Sequence, residues 1–155
     1  MPETPAVYAE RLTWGVEALE SGQYPKGKGA LHRITTAPDG TVTHQWCCLG
    51  VLSKVARDHG LPITSRFRPD DPDDPDDPVQ LEEFDGYNLQ EMLCPAVRDW
   101  FGFTMRNPRL RRADGIVLTA AAWNDCGPND DDTTTEPDFT EIAAAFRRTY
   151  LGGTS

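Results

Sequence analysis

The chain has few cysteines and no long hydrophobic run, and both shortages exclude whole classes of protein. Its 155 residues include 4 cysteines, none spaced as the Cys-x-x-Cys pair typical of a structural zinc site. No apolar stretch approaches the roughly 20 residues that cross a bilayer, and the first residues lack the basic and apolar segments of a signal peptide. We therefore expect reduced thiols, no metal or other cofactor, no membrane partner and a cytoplasmic protein.

Positive charge is missing from residues 70–85, and this shortage explains most of the protein's acidity. The nine acidic side chains of this segment account for nearly all of the formal net charge of −10. Proline recurs among the aspartates every three residues, which is the repeat of the polyproline-II helix. We predict a solvated, largely disordered acidic insertion at 68–86, because such a segment has little to bury. A second acidic loop is predicted at 125–138.

The rest of the sequence alternates between helical and strand patterns. Apolar residues recur at helical spacing near 5–22, 47–60, 93–102, 119–123 and 139–150. Turn signals at Ala37–Gly40 and Asp114-Gly115 join pairs of β-forming segments into hairpins. We predict a single α+β domain, residues 1–155, with four or five helices packed around two short β-hairpins. The hairpins could be separate or merged into one small antiparallel sheet.

The most apolar stretch, Trp46–Ala56, indicates a strand that runs directly into a buried helix. Cys47 and Cys48 lie at the predicted helix start, where the helix dipole favours a thiolate. His44 or His32 could act as the base for such a nucleophile, as in a small cysteine-dependent hydrolase. We favour core packing for both cysteines, because His44 shares a strand face with Trp46 and the helix that follows is apolar.

A basic glycine loop is the strongest candidate for binding a ligand. It comprises Lys26, Gly27, Lys28 and Gly29, whose amides and lysines could hold an anion. Gly29 stands where a nucleotide-binding phosphate loop needs Ser or Thr for magnesium, so an NTPase is excluded. Further candidates for contact with an anionic ligand are Arg33, Arg109, Arg111, Arg112, Asn124 and Asp125. The overall acidity argues against duplex DNA as a partner.

Several short motifs follow one another in a characteristic order. They are Trp14 with Ser21-Gly22-x-Tyr24, Gly27-Lys28-Gly29-x-Leu31, Cys47–Leu52, Pro95-x-Val97-x-x-Trp100-x-Gly102, Asn124-Asp125 and Phe139-x-Glu141-Ile142-Ala143. This series resembles a family of small proteins encoded by tailed phages and prophages, especially those of actinobacteria. The aspartate–proline insertion and the lengthened loop after Asn124-Asp125 depart from that pattern. The resemblance implies a phage accessory protein and brings no reaction or cofactor with it.

The function that we predict from the sequence is that of a phage-encoded, non-enzymatic binding protein. Its partner would be a host protein or a small anionic, nucleotide-like metabolite in the host cytoplasm, and binding would counter a host defence. Two alternatives stay open, which are the cysteine-dependent hydrolase and an acidic nucleic-acid mimic acting through residues 70–85. Homo-oligomerisation is also left open.

Overall fold

The computed structural model describes residues 5–26, 31–71, 73–84, 92–124 and 138–152, which form an α+β fold. The helices in this part of the chain are α1 (Pro5–Glu20), α2 (Cys48–Asp58), α3 (Pro95–Phe101), α4 (Ala120–Asn124) and α5 (Phe139–Tyr150). The strands are β1 (His32–Thr36), β2 (Val42–Trp46), β3 (Ser65–Pro69), β4 (Val79–Phe84), β5 (Arg109–Arg111) and β6 (Val117–Thr119). The predicted fold class is confirmed.

Helix α2 is the central element, as the apolar stretch predicts. It begins after Cys47, whose Sγ accepts a hydrogen bond from the Gly50 backbone N–H at 3.4 Å. Eight of its eleven residues are buried, on every side of the helix. Gly50 is required there, because a Cβ at this position would lie 1.7 Å from the Leu31 carbonyl oxygen. The chain entering β1 therefore packs directly against the helix backbone.

The other helices bury their apolar faces against α2 and against one another. Helix α1 packs on α2, α3 and α5. Helix α5 begins after Asp138, whose carboxylate accepts from the Glu141 N–H at 2.8 Å. The residues that α1 and α5 bury are Leu12, Gly15, Val16, Leu19, Phe139, Ile142, Ala143, Ala145 and Phe146. These positions repeat every three or four residues, so the helical periodicity is confirmed.

The larger sheet has four antiparallel strands in the order β2-β1-β4-β3. Residues directly opposite each other in neighbouring strands point to the same face. His32 pairs with Trp46, Ile34 pairs with both His44 and Gln80, and Phe67 pairs with Glu82. One face therefore carries His32, His44, Trp46, Phe67 and Glu82 together.

The prediction of a largely disordered insertion is wrong for Arg68 and Pro69, which end β3, and for the residues of β4. Strand β4 lies within the predicted insertion at 68–86 and buries Leu81, Glu82, Glu83 and Phe84, while β3 ends at the start of the insertion. The acidic loop between them also folds locally, since Asp71, Asp74 and Asp77 each accept the N–H two residues on at 2.9–3.0 Å. Proline stands between the partners of each pair, so the three-residue repeat makes successive Asx turns.

The second hairpin, β5–β6, forms its own two-stranded sheet and does not join the first. It packs on the end of α5, where the Tyr150 hydroxyl donates to the Arg109 carbonyl at 2.8 Å. The Arg111 N–H likewise donates to Thr149 Oγ1 at 2.9 Å. Of the two arrangements that the sequence allows, the hairpins therefore adopt the separate one. None of the described helices is long and apolar enough to cross a membrane.

Candidate functional site

A groove runs along the outer side of β2 and is the best candidate for a ligand site. Its volume is about 530 Å³, and its walls combine aromatic and basic side chains. The lining residues are Gln23, Tyr24, Pro25, Val42, Thr43, His44, Trp46 and Lys54. The segment before β1 reaches this place because the Trp46 N–H donates to the Pro25 carbonyl at 2.8 Å. That bond holds Tyr24 beside the end of β2.

A chain of hydrogen bonds leads from this groove into the protein. His44 Nδ1 lies 2.9 Å from His32 Nε2, and His32 Nδ1 lies 2.7 Å from Glu82 Oε1. The other carboxylate oxygen, Oε2, accepts from Arg57 at 2.6 Å. His44 is exposed, whereas His32 and Glu82 are buried, with 5% and 6% of their surface exposed. The chain thus connects an exposed imidazole to a buried carboxylate.

Aromatic rings fix the position of the buried histidine. The Trp46 ring lies parallel to the His32 ring with 3.5 Å between centroids, and Phe67 meets His32 edge-on. Tyr24 packs against Trp46 in a T-shaped contact. Because stacking and two hydrogen bonds act on His32 together, its ring has one orientation. The hydrogen-bond partner of His44, which is His32 Nε2, is therefore held in a fixed position.

Glu82 is ionised across the neutral pH range. Burial is the largest single influence on its pKa and acts to raise it. Hydrogen bonds from His32, Arg57 and Ser65, together with the Arg57 charge, outweigh burial and lower the pKa of Glu82 from 4.5 to about 2. The Arg57 guanidinium, which also donates to Ser65 Oγ at 2.7 Å, therefore faces a carboxylate.

Three of the residues predicted as candidates meet at the start of α2. Asn124 Oδ1 accepts the Cys48 N–H at 3.1 Å, and the Asn124 carbonyl accepts from Lys26 Nζ at 2.8 Å. Asn124 is fully buried. It therefore satisfies an N–H of the α2 terminus that no helical carbonyl can reach. These contacts give Asn124 and Lys26 a part in connecting α4, α2 and the segment before β1.

Both candidate nucleophiles, Cys47 and Cys48, are packed in the core. Their exposed fractions are 2% and 0%. The Cys48 thiol contacts the Ala120 carbonyl at 3.7 Å, and the Cys47 sulfur caps α2. His32 and His44, proposed as their bases, bond to each other, and His32 also bonds to Glu82. This placement favours core packing over a cysteine nucleophile.

The candidate arginines are divided between the two sheets. Arg33 lies in β1 on the face opposite His32, while Arg109 and Arg111 lie in β5. Arg112 pairs with Asp114 at 2.6 Å. The single sheet that would bring these side chains together is not formed by the described strands. Gly27, Lys28, Gly29 and Asp125 lie outside the described residues.

Sequence reasoning missed Glu82 and Arg57, which complete the hydrogen-bond chain. Glu82 falls within the predicted acidic insertion, although Val79 and Leu81 before it show the alternation of a strand. Arg57 belongs to no motif, and nothing in the sequence distinguishes it from an ordinary polar residue near the end of α2. Among the described residues, no cluster of three or more His, Cys, Asp or Glu side chains is arranged to hold a metal ion.

The chain was also compared with known proteins. No family model, no curated protein and no solved structure matches it. A function for this protein therefore has to be inferred from the geometry of the groove and of the hydrogen-bond chain behind it.

Proposed function

We propose that this protein binds a small anionic, nucleotide-like ligand in the groove along β2. The observation that carries the proposal is the composition of one surface, where the half-buried ring of Tyr24 lies beside His44 and Lys54. Trp46 is buried behind Tyr24 and packs against it. Aromatic rings stack on planar bases, and a lysine attracts phosphate. As a further part of the proposal, the protein is phage-encoded and acts on host physiology in the host cytoplasm.

The proposal can be tested by titrating the protein with nucleoside monophosphates, diphosphates and cyclic nucleotides, with inorganic phosphate as the control. We expect at least one nucleotide to raise the melting temperature and to bind in calorimetry, because a ligand that binds only the folded state stabilises it. Inorganic phosphate should bind much more weakly, since it offers no ring to Tyr24. If no nucleotide binds, the proposal is wrong.

A charge reversal in the groove sharpens this test. Lys54→Glu should weaken nucleotide binding at least tenfold, because a carboxylate would then face the phosphate. Arg112→Glu is a matched control, since Lys54 and Arg112 both pair with a nearby aspartate and both have side chains that are 30% exposed. Arg112 lies away from β2, after β5, and its exchange should leave binding unchanged. Equal effects of the two exchanges would contradict a site at Lys54.

Tyr24→Ala tests the aromatic half of the site. Stacking of a base on an aromatic side chain contributes about 1–3 kcal/mol. We therefore expect nucleotide affinity to fall by roughly tenfold or more. Inorganic phosphate should bind Tyr24→Ala as it binds the unmodified protein. A loss that is equal for nucleotide and phosphate would assign Tyr24 a structural role instead.

The acidic loop supports a second candidate, an acidic mimic of nucleic acid. Asp70, Asp71, Asp73 and Asp76 are exposed, and the Asx turns present them from a folded hairpin end. A mimic would bind a nucleic-acid-binding host protein through this loop. Replacing residues 71–78 by a short neutral turn would then abolish the interaction and leave nucleotide binding in the groove intact. That variant therefore distinguishes a nucleotide-binding protein from an acidic mimic of nucleic acid.

A further inference from the structure

The hydrogen-bond chain behind the groove fixes the tautomers of two histidines. The Glu82 carboxylate can only accept, so His32 Nδ1 carries the proton of their 2.7 Å bond. In a neutral His32 the Nε2 atom is then an acceptor, and His44 Nδ1 carries the proton of the 2.9 Å bond between the rings. This arrangement leaves His44 Nε2 with its lone pair on an exposed residue that lines the groove.

The order of groups is that of a carboxylate–histidine–nucleophile triad. In such a triad the carboxylate orients a histidine, and that histidine takes the proton of the group that attacks. Here Glu82 and His32 hold the first two places, and His44 holds the third. When His44 Nε2 forms a new bond, His32 is placed to remove the proton from His44 Nδ1.

We propose that His44 Nε2 is a nucleophile that accepts a phosphoryl group from the anionic ligand of the groove. The proposal rests on the proposed ligand class, and it makes His44 a phosphoryl-accepting residue, with His32 and Glu82 as positioning residues. The lone pair of Nε2 attacks phosphorus, and the bond from phosphorus to the leaving oxygen breaks. The leaving group departs with that electron pair as an oxyanion.

The protons balance within the chain of side chains. As the bond to phosphorus forms, the His44 Nδ1 proton passes to His32 Nε2, so the phosphorylated ring stays neutral. His32 becomes an imidazolium between the Glu82 carboxylate and the face of the Trp46 ring, 3.5 Å from its centroid. Both neighbours stabilise a cation. Water can later attack the phosphorus and release phosphate, which returns the proton to His44.

A second histidine provides a control inside the same chain. His59 Nδ1 lies 2.9 Å from the Val55 carbonyl oxygen, so it too donates at Nδ1 and leaves Nε2 unprotonated. Its ring stacks on Trp14 at 4.1 Å. The carbonyl cannot take up the proton, whereas His32 can. The two histidines thus share a tautomer and differ in whether the partner of Nδ1 is a base.

The experiment uses phosphoramidate, a small phosphoryl donor that needs no specific binding site. The intact protein is incubated with it at neutral pH, and the phosphate on each histidine is followed over time by mass spectrometry of peptides under mildly basic conditions. We expect His44 to be labelled at least tenfold faster than His59. Equal labelling, or faster labelling of His59, would overturn the proposal.

Two variants test the relay itself. His44→Gln should remove the fast-labelled site and leave the labelling of His59 unchanged. Glu82→Gln removes the carboxylate that stabilises a charged His32, so the ratio of His44 to His59 labelling should fall towards one. A ratio unchanged in Glu82→Gln would overturn the role assigned to His32 and Glu82.

Nitrogen-15 NMR of the unmodified protein keeps the test independent of how the variants fold. At pH 8 we expect His44 to carry its proton on Nδ1, and a proton on Nε2 instead would overturn the proposal. The titration with nucleotides separates this inference from the proposed function. If nucleotides bind in the groove but His44 reacts no faster than His59, the proposed phosphoryl transfer is wrong and the proposed ligand class stands.

Discussion

The helices around α2 and the four-stranded sheet are stabilised by different kinds of buried contact. The helices bury aliphatic and aromatic side chains, such as Val16, Ile142 and Phe146, whose exposed fractions are 0%. The sheet buries His32, Glu82 and Glu83, each of which bonds to a charged or polar partner. Most of the buried polar residues among those described thus lie in the smaller part of the fold.

The two regions should therefore tolerate different kinds of substitution. Apolar packing depends on volume and shape, so many partners share the effect of one substitution. A buried ion pair depends on one particular partner, and its removal leaves an uncompensated charge. The helical region should therefore be sensitive to size, and the sheet should be sensitive to charge. Substitutions in the two regions test this difference, and those in the helical core should cost the most stability.

Phe146→Ala should cause the largest loss of stability, because Phe146 is fully buried in the helical core. Truncation of a buried phenylalanine costs about 3–5 kcal/mol of unfolding free energy, which denaturant titration would measure. Phe67→Ala is the matched control, since Phe67 is 46% exposed on β3, and it should cost about 1 kcal/mol or less. Similar losses for the two variants would contradict the assignment of the core to the helices.

The helical region could be predicted from the sequence because its signals are local. In α5 the apolar residues recur at the helical period, and Asp138 provides the N-terminal cap. The first hairpin has a turn signal between two β-forming segments. Each of these features is contained within a few neighbouring residues. No knowledge of the rest of the fold is needed to recognise them.

Strands β3 and β4 could not be predicted, because what stabilises them is distant in sequence. In β4, Glu82 and Glu83 are adjacent and both buried, which breaks the alternation expected of a strand. Glu82 is balanced by Arg57 and His32, and Glu83 by Arg66 and Arg68 on β3. Without these partners the segment has the composition of a solvated acidic loop. The sequence thus shows the charges but not their pairing.

The candidate site could be predicted only in part, for the same reason. Lys26 and Asn124 are candidates by residue type, and the structure brings them together at the start of α2. Sequence patterns offer His44 and His32 only as bases for a cysteine. Their bond to each other depends on the register of β1 and β2, and their link to Glu82 depends on the unpredicted strand β4.

Glu82→Gln should have the next largest effect, about 2 kcal/mol of unfolding free energy. A hydrogen bond to a charged group contributes about 1.5–3 kcal/mol, and this exchange leaves Arg57 facing a neutral amide. Glu20→Gln is the control, because Glu20 pairs with Arg147 in an exposed position. Such a surface pair contributes about 0–1 kcal/mol. Equal losses would show that the sheet is no more sensitive to charge than the surface.

The fall in stability at acidic pH tests the Glu82 carboxylate without the use of a chemical denaturant. The pKa of Glu82 is lowered to about 2 in the folded protein, below the 4.5 expected when the chain is unfolded. Its stabilising contribution is therefore complete above about pH 4.5 and is lost as the pH falls towards 2. We expect melting temperatures measured over this range to fall less steeply in Glu82→Gln. The same slope in both proteins would contradict the lowered pKa.

Shortening the acidic loop should have the smallest effect, because the sheet is held by its strands rather than by the loop. The Asp70 N–H donates to the Val79 carbonyl at 2.9 Å, so these two residues already face each other across the hairpin. Replacing residues 71–78 by Asn-Gly would join them through a two-residue turn whose twist suits antiparallel strands.

The exchange removes the bond from the Thr36 N–H to the Pro78 carbonyl, a loss of about 1 kcal/mol. The shorter loop offsets part of that loss, since it costs less chain entropy to close. We therefore expect the melting temperature to change by only a few degrees, whereas Phe146→Ala, in the helical core, should lower it much further. If the shortened hairpin unfolds the protein, the Asx turns of the aspartate–proline repeat are themselves required to hold β3 against β4.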